Sequence, residues 1–361
     1  MDPKRHWASL DGLRAFAVLT VVAYHLDNKV VRGGALGVDV FFVLSGFLIT
    51  SLLIREFEAR RTVSFKAFYM RRALRLLPAF YAVFVAATIL AETTATRTEA
   101  TPTLSGLPWV FFYIGNLRAS YGHTDLGLLN ATWSLAEEEQ FYLLWPAICV
   151  LILLHTERRI RPALVLFGLA LTEMVYRVVL VQHGASLLSR VAYGPDTRSD
   201  GLLLGCALAF AMTSQSYSRF SASLRANAVA AVGVACGVLL GCLAAFAPMM
   251  QASGFEFAIP LTVVASGGLI WSLTTAPVGP LHWLLAIPPA IWLGRRSYGL
   301  YLWHFPIILG VPLPHSFPHA VRLPIHLGLS VAAAALSYRF LEMPFLRHKH
   351  RWQTDLAPAS A

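Results

Sequence analysis

The sequence predicts an all-α polytopic membrane protein, a bundle of about ten transmembrane helices with both termini in the cytoplasm, and three observations carry that reading. Of 361 residues, 57% are hydrophobic and only 13% are charged, against about 25% charged in a typical soluble domain. The apolar residues come in runs long enough to cross about 30 Å of hydrocarbon. Lys and Arg gather in alternate intervals between those runs.

Spans begin near Ala8, Leu36, Leu76, Trp133, Pro162, Gly201, Ala226, Phe257, Ser297 and Leu323, each followed by polar or Pro/Gly punctuation. With the N-terminus inside, 19 of the 29 Lys and Arg fall on the inner side, 7 on the outer side, and Arg14, Arg177 and Arg339 within spans. The net charge of +10 is thus an orientation signal rather than a nucleic-acid footprint, and membrane lipid is the expected surrounding. Residues 107–117 are too short to span, and residues 283–293 carry Pro288-Pro289 at their middle, so both are expected to be interfacial or re-entrant. The first span has no small-residue cleavage site and is read as a helix that stays. Residues 1–350 form one integral-membrane domain and residues 351–361 a disordered tail. Cys149, Cys206, Cys236 and Cys242 all lie in apolar spans without metal-type spacing, so packing is their expected role.

In the first span Arg14 and His25 are eleven residues apart, almost three helical turns, and so share one face. Ionisable groups inside a membrane helix are costly and mark function by default. The second span opens Gly37-Val-Asp39, at the same outer end as His25. A carboxylate there would orient the imidazole, while Asp at a helix start also serves as a cap; both readings stand. Arg71, Arg72 and Arg75 form a basic run before the third span. Guanidinium forks at that spacing suit a phosphate-bearing ligand, and a juxtamembrane orientation signal is the alternative.

Thr132-Trp133-Ser134-Leu-Ala-Glu137-Glu138-Glu139-Gln140-Phe-Tyr places three carboxylates at the start of the fourth span. Consecutive helical residues splay by about 100° each, so at least one faces the bundle interior. Ser297-Tyr298-Gly-Leu-Tyr301-Leu-Trp-His304 sets a histidine in mid-membrane, with the tyrosines near the inner interface. Asp196, Arg198 and Asp200, and Arg339 with Glu342, read as ion pairs that hold helices together, and lining of a substrate path is the equal alternative for each.

Taken together these segments resemble the membrane-bound acyltransferase 3 family, which includes bacterial O-acetylases of surface polysaccharides and acyltransferases of glycosylated metabolites. The resemblance runs over nearly the whole chain: Arg14-x10-His25, Phe-Phe-x-x-Ser-Gly-Phe, Arg-Arg-x-x-Arg with Pro78, Trp-Ser-Leu-x-x-Glu-Glu-Gln-Phe-Tyr, Ser-Tyr-x-x-Tyr-Leu-Trp-His and Arg-Phe-Leu-Glu-x-Pro. It implies ten helices, an acyl-CoA donor, an essential arginine and histidine on the first helix, and donor phosphates on Arg71, Arg72 and Arg75. It departs at Glu137, where the family has an apolar residue; by register Glu138 faces inward. The extracytoplasmic esterase-like domain of some members is not expected here.

The resemblance and the stripe together give a scheme for an acyl-CoA-dependent O-acyltransferase of a bacterial inner membrane. His25 is the general base for a carbohydrate hydroxyl, oriented by Asp39 or Glu138, and Arg14 guides the donor's arm or steadies developing charge. Tyr298, His304, Trp133 and Glu139 are candidate substrate-binding residues, and no metal is expected. The acceptor is a surface polysaccharide, a glycolipid or a glycosylated metabolite such as a macrolide. A transporter of a glycan or lipid is the alternative, since polar residues in a bundle also line substrate paths.

Overall fold

A computed structural model describes residues 7–122, 125–314 and 316–348; the expected disordered tail, residues 351–361, lies outside them. The chain is 83% helical, with no strand among the described residues. Its first half contains α1 (Ala8–Leu26), α2 (Gly37–Arg60), α3 (Phe65–Thr93), α4 (Arg97–Phe111), α5 (Gly115–Ser120), α6 (Thr132–His155) and α7 (Ile160–Gln182). There follow α8 (Pro195–Arg198), α9 (Asp200–Met212), α10 (Gln215–Ala222), α11 (Ala226–Phe246) and α12 (Ile259–Thr275). The remainder is α13 (Pro280–Leu285), α14 (Pro288–Arg295), α15 (Ser297–Gly310), α16 (His319–Ser337) and α17 (Met343–His348).

Helices occupy all ten expected span positions, but among the described residues only eight are long and apolar enough to cross a bilayer. The two exceptions are α9, with 13 residues, and α15, with 14. At 1.5 Å per residue each covers about 20 Å, short of the hydrocarbon thickness. Both are extended by a neighbour: α8 leads into α9 across Ser199, and α14 leads into α15 across Arg296. The third span starts earlier than expected, since α3 begins at Phe65 and takes the whole arginine run into its first turns. Residues 107–117 fall on α4 and α5, and residues 283–293 on α13 and α14, broken before Pro288-Pro289.

Burial separates a centre from a ring. The apolar windows of α2, α12 and α1 are 72%, 67% and 56% buried, whereas those of α3, α6, α7, α11 and α16 are 17–28% buried. The ring helices turn leucines and valines outward, among them Leu143, Leu144, Leu151 and Leu154 on α6 and Leu164 and Val165 on α7. Lipid solvates such side chains as well as a core does, so the driving force for association moves to close packing and polar contacts. Small residues provide the close packing where α2 crosses α9: a Cβ on Gly46 would strike the Leu202 carbonyl, and one on Gly205 the Val43 carbonyl. Gly12 and Gly294 do the same where α1 meets the broken pair α13 and α14. The central helix bearing Arg14 and His25 is thereby fixed on several sides. Cys149 and Cys206 are buried, Cys236 half-buried and Cys242 exposed, and all four thiols are free.

Candidate active site

Helix α1 presents its polar residues to two spaces at different depths. At the Arg14 end is a cavity of about 60 Å³ enclosed by α1, α2, α6 and α15, with Arg14, Ser45, Ser134, Glu138, Ser297, Tyr298 and Tyr301 in its wall beside Phe41 and Phe42. Arg14 Nε donates to Ser297 Oγ at 3.3 Å. Ser45 Oγ donates to Glu138 Oε1 at 2.5 Å. The Ser134 and Tyr301 hydroxyls are 2.6 Å apart, and the Tyr298 hydroxyl donates to the Leu76 carbonyl at 3.0 Å. Arg14 has no ion pair among the described residues.

At the other end of α1 is an open recess of about 420 Å³ formed by Tyr24, His25, Asp27, Asn28, Lys29, Met250 and His319. Asp27 organises the rim by accepting from the Lys29 backbone N–H at 2.9 Å, and its other oxygen lies 3.9 Å from His319 Nδ1. The His25 ring stands between the spaces, with Phe305 edge-on at 4.8 Å and His304 at 5.1 Å between ring centroids. Its Nδ1 is 3.2 Å from His304 Nε2, and the Val21 carbonyl lies beside the ring. His304 is fully buried, with Nδ1 donating to the Tyr301 carbonyl at 2.6 Å. Tyr301 therefore touches both levels, its hydroxyl in the cavity and its carbonyl holding His304.

Asp39, expected to orient His25, is not its partner: Arg198 Nη2 lies 3.0 Å from Asp39 Oδ1, and both side chains are buried. Glu138, the other expected orienting group, hydrogen-bonds Ser45 on the cavity side. The group against His25 is His304, which the sequence reading placed with substrate. Asp39 points elsewhere because α9 packs on α2 through the glycines above, bringing α8, with Arg198 at its end, against the start of α2.

The three glutamates of α6 take three separate partners, as their angular splay requires. Glu137 accepts from Asn116 Nδ2 at 2.9 Å. Glu138 lines the cavity, as register favours. Glu139 is held by Arg72 through Nε at 3.0 and 3.2 Å and Nη2 at 2.8 Å, with the guanidinium also over the Tyr142 ring. Neither Glu139 nor Arg72 is thus the open ligand-binding group the sequence reading expected. Arg71 lies 3.3 Å from Glu56, whose other oxygen accepts from the Ser64 backbone N–H at 2.9 Å and ties the turn between α2 and α3. Arg75 is exposed and has no hydrogen bond or ion pair among the described residues. Of the arginine run, then, Arg75 alone is exposed and not bonded to a carboxylate among the described residues, with Glu342 the carboxylate in its neighbourhood.

Trp133, a candidate substrate residue, sits edge-on to Phe42 and Tyr193 with the Arg198 guanidinium 5.4 Å from its ring. The expected pairing around Asp200 is present: Arg177 Nη2 meets Asp200 Oδ2 at 2.9 Å and Arg190 meets Asp196 at 2.5 Å. The expected Arg339–Glu342 pair is not formed. A π-helical turn over Tyr338–Glu342 rotates Arg339 over Phe340, while Glu342 accepts weakly from Ser337 at 3.5 Å. Sequence reasoning missed Ser45, Ser297 and Glu173; the last accepts from Ser199 at 2.8 Å. Glu173 had a signal, since Glu and Arg four apart in an apolar helix share a face. Ser45 and Ser297 had one in the motifs Phe-Phe-x-x-Ser-Gly-Phe and Ser-Tyr-x-x-Tyr-Leu-Trp-His, which contain them.

Among the described residues no group of three or more His, Cys, Asp or Glu is placed to hold a metal ion. A cationic cavity wall at one end of α1 and, at the other, an imidazole at a polar recess backed by a buried histidine are groups able to bind a polar donor and activate a hydroxyl. The family model described as "Acyltransferase domain" matches residues 7–337. The peptidoglycan O-acetyltransferase OatA of Listeria monocytogenes is 36% identical over 96% of this chain and 56% of its own length. The putative peptidoglycan O-acetyltransferase YrhL of Bacillus subtilis is 36% identical over 94% of the chain and 55% of its own, and a putative O-acetyltransferase of Staphylococcus aureus 31% over 98% and 60%. The chain thus spans somewhat more than half the length of these relatives. No solved structure matches it. The sequence motifs, the helical bundle and the near-complete match to the family model place this chain in the acyltransferase 3 family.

Proposed function

We propose that the protein is a membrane O-acyltransferase that moves an acetyl or other short acyl group from acyl-CoA to a hydroxyl of a carbohydrate-containing acceptor. The observation that carries this reading is the pairing on one helix of an arginine that faces a cavity and forms no ion pair among the described residues with a histidine facing a recess. An unpaired guanidinium inside a bundle is expensive, and an anionic or strongly polar ligand offsets that cost. The names of the relatives supply the acceptor class, a bacterial glycan such as peptidoglycan. In this scheme both termini are cytoplasmic, the protein resides in the bacterial cytoplasmic membrane, and the donor enters from the Arg14 end.

The nucleotide phosphates rest against Arg75 at the entry, and the acyl-bearing arm extends past Arg14, Glu138 and Tyr298. The acceptor reaches His25 through the recess of Asp27, Asn28, Lys29 and His319, whose side chains offer hydrogen bonds to sugar hydroxyls. His25 takes the hydroxyl proton, the alkoxide attacks the thioester carbonyl, and the departing thiolate recovers the proton. Arg14 or the cavity hydroxyls stabilise the oxyanion.

The test is turnover by the purified full chain in lipid nanodiscs with isotopically labelled acetyl-CoA and soluble peptidoglycan fragments. Labelled ester on the glycan is expected, and its loss in His25→Ala by about 10²- to 10⁴-fold, the usual worth of a general base. Glycan translocation without thioester consumption would instead make the protein a transporter.

A further inference from the structure

The acyl-transfer scheme gives His25 the role of base but says nothing of how one of its two nitrogens becomes the basic one. The chain of contacts behind the ring answers this. A carbonyl oxygen can only accept, so the 2.6 Å contact between His304 Nδ1 and the Tyr301 carbonyl requires the proton of His304 on Nδ1. The Leu300 carbonyl, one residue earlier on the same turn, also faces this ring. A neutral His304 then offers a lone pair at Nε2. Its neighbour at 3.2 Å is His25 Nδ1, which must bring the hydrogen if the two are to bond.

The alternative is an imidazolium at His304 donating from both nitrogens. It would put a positive charge on a side chain with no solvent exposure. The groups facing it are His25, the two carbonyls, and the rings of Tyr301 and Phe305. The nearby carboxylates are engaged elsewhere: Asp27 faces His319 at the rim, Glu138 bonds Ser45, and Asp39 bonds Arg198. The neutral arrangement is therefore the one the packing permits.

We propose that His304 is a positioning residue that sets the tautomer of His25: the backbone carbonyl of Tyr301 fixes the proton of His304 on Nδ1, His304 Nε2 accepts from His25 Nδ1–H, and His25 Nε2 is left unprotonated toward the recess. The inference rests on the acyl-transfer reading and deepens it. In the reaction the acceptor O–H breaks and its proton goes to His25 Nε2. The new C–O bond forms as the thioester C–S bond breaks, and the thiolate takes the proton back from Nε2. His25 is cationic only between those events, when its Nδ1–H bond to His304 becomes charge-assisted. A histidine oriented by a second neutral histidine and a main-chain carbonyl thus does the work that an aspartate does in hydrolytic triads.

The experiment compares His304→Gln with His304→Leu in the full chain, using acetyl-CoA and peptidoglycan fragments. The Gln side chain places a carbonyl oxygen near the former Nε2 and still accepts; Leu fills the volume and does not. Because the Val21 carbonyl also lies beside the His25 ring, the loss is partial. His304→Leu is expected to lower kcat about 10- to 100-fold with KM for both substrates within about two-fold, and His304→Gln to recover to within about five-fold of the parent. Wild-type kcat in His304→Leu, or equal impairment of the Gln and Leu proteins with matching thermal unfolding, would overturn the proposal. His25→Ala separates this from the parent reading: if that variant keeps full turnover, the base assignment itself falls, whereas a dead His25→Ala beside a fully active His304→Leu removes only the role of His304.

Discussion

Arg177 and Arg198 lie where α2, α7 and α9 meet, and each is held by a buried carboxylate, Asp200 at 2.9 Å and Asp39 at 3.0 Å. Arg177 is further satisfied by the Thr197 carbonyl at 2.7 Å and the Phe255 carbonyl at 3.1 Å. Arg14, on the central helix, makes one bond to a serine hydroxyl and faces a cavity. Arg14 and Arg177 occur within apolar runs of the sequence, and Arg198 in the polar segment Asp196-Thr-Arg198-Ser-Asp200 between two of them. The difference teaches that a buried charge closed by protein partners belongs to the architecture, and one left facing open space belongs to the chemistry.

The largest effects expected from this contrast fall on different observables in the two regions. Arg14→Ala should lower turnover by about 10²- to 10³-fold, in the range for losing an oxyanion-stabilising or donor-orienting group, while its thermal unfolding midpoint stays near that of the parent. Arg177→Ala should do the reverse at the level of the fold. It leaves Asp200 charged and unpaired in the interior, a change that costs roughly 3–5 kcal/mol, so the protein should unfold at markedly lower temperature or fail to accumulate. Equal destabilisation by both substitutions would erase the distinction.

A double substitution sharpens the same point. Replacing both partners of a buried pair with apolar residues of similar volume is often close to neutral. Arg177→Met with Asp200→Leu should therefore recover most of the stability lost in Arg177→Ala, judged by thermal unfolding in detergent. If Arg14 meets a ligand, as proposed, no second substitution should restore Arg14→Ala in this way. A double variant as unstable as the single one would show that the cluster does more than hold α7 against α9.

These distinctions also mark how far sequence could go. Hydropathy and the Lys/Arg bias reveal helices at all ten positions because they depend on composition along one segment. The inward face of α1 was legible for the same reason, since Arg14 and His25 lie three turns apart on one helix. Which group meets His25 was not. Asp39 and His304 are both apolar-span residues at plausible depth, and only the crossing of α2 with α9, set by Gly46 and Gly205, turns Asp39 toward Arg198. Likewise the run of Arg71, Arg72 and Arg75 looks uniform in sequence. Carboxylates from α2 and α6, distant in the chain, occupy the first two.

The glutamates of α6 should rank by what they face. Glu138→Gln removes a charge next to the cavity and weakens the bond from Ser45, and a hydrogen bond to a charged group contributes roughly 1.5–3 kcal/mol; turnover should fall about 10- to 100-fold. Glu137→Gln keeps hydrogen-bonding capacity toward Asn116, outside the cavity, and should lower turnover less than about three-fold. Substrate saturation curves in nanodiscs decide this, and a larger effect at Glu137 would reassign the inward-facing carboxylate.

A small effect, confined to KM, is expected at Arg75 in the arginine run, where the same contrast holds in miniature. Arg72 bridges α3 to Glu139 of α6, whereas Arg75 is exposed and has no such partner among the described residues. If Arg75 meets the donor's phosphates, its contribution is that of a solvent-accessible ion pair, up to about 1 kcal/mol and weakened by salt. Arg75→Ala should then raise KM for acetyl-CoA by no more than about five-fold, leave kcat and the unfolding midpoint unchanged, and make that KM less sensitive to ionic strength. Arg72→Ala should lower the unfolding midpoint as well, because it strands Glu139. A salt-independent KM in the parent protein would remove the donor's phosphates from Arg75, while leaving the assignment of Arg14 and His25 untouched.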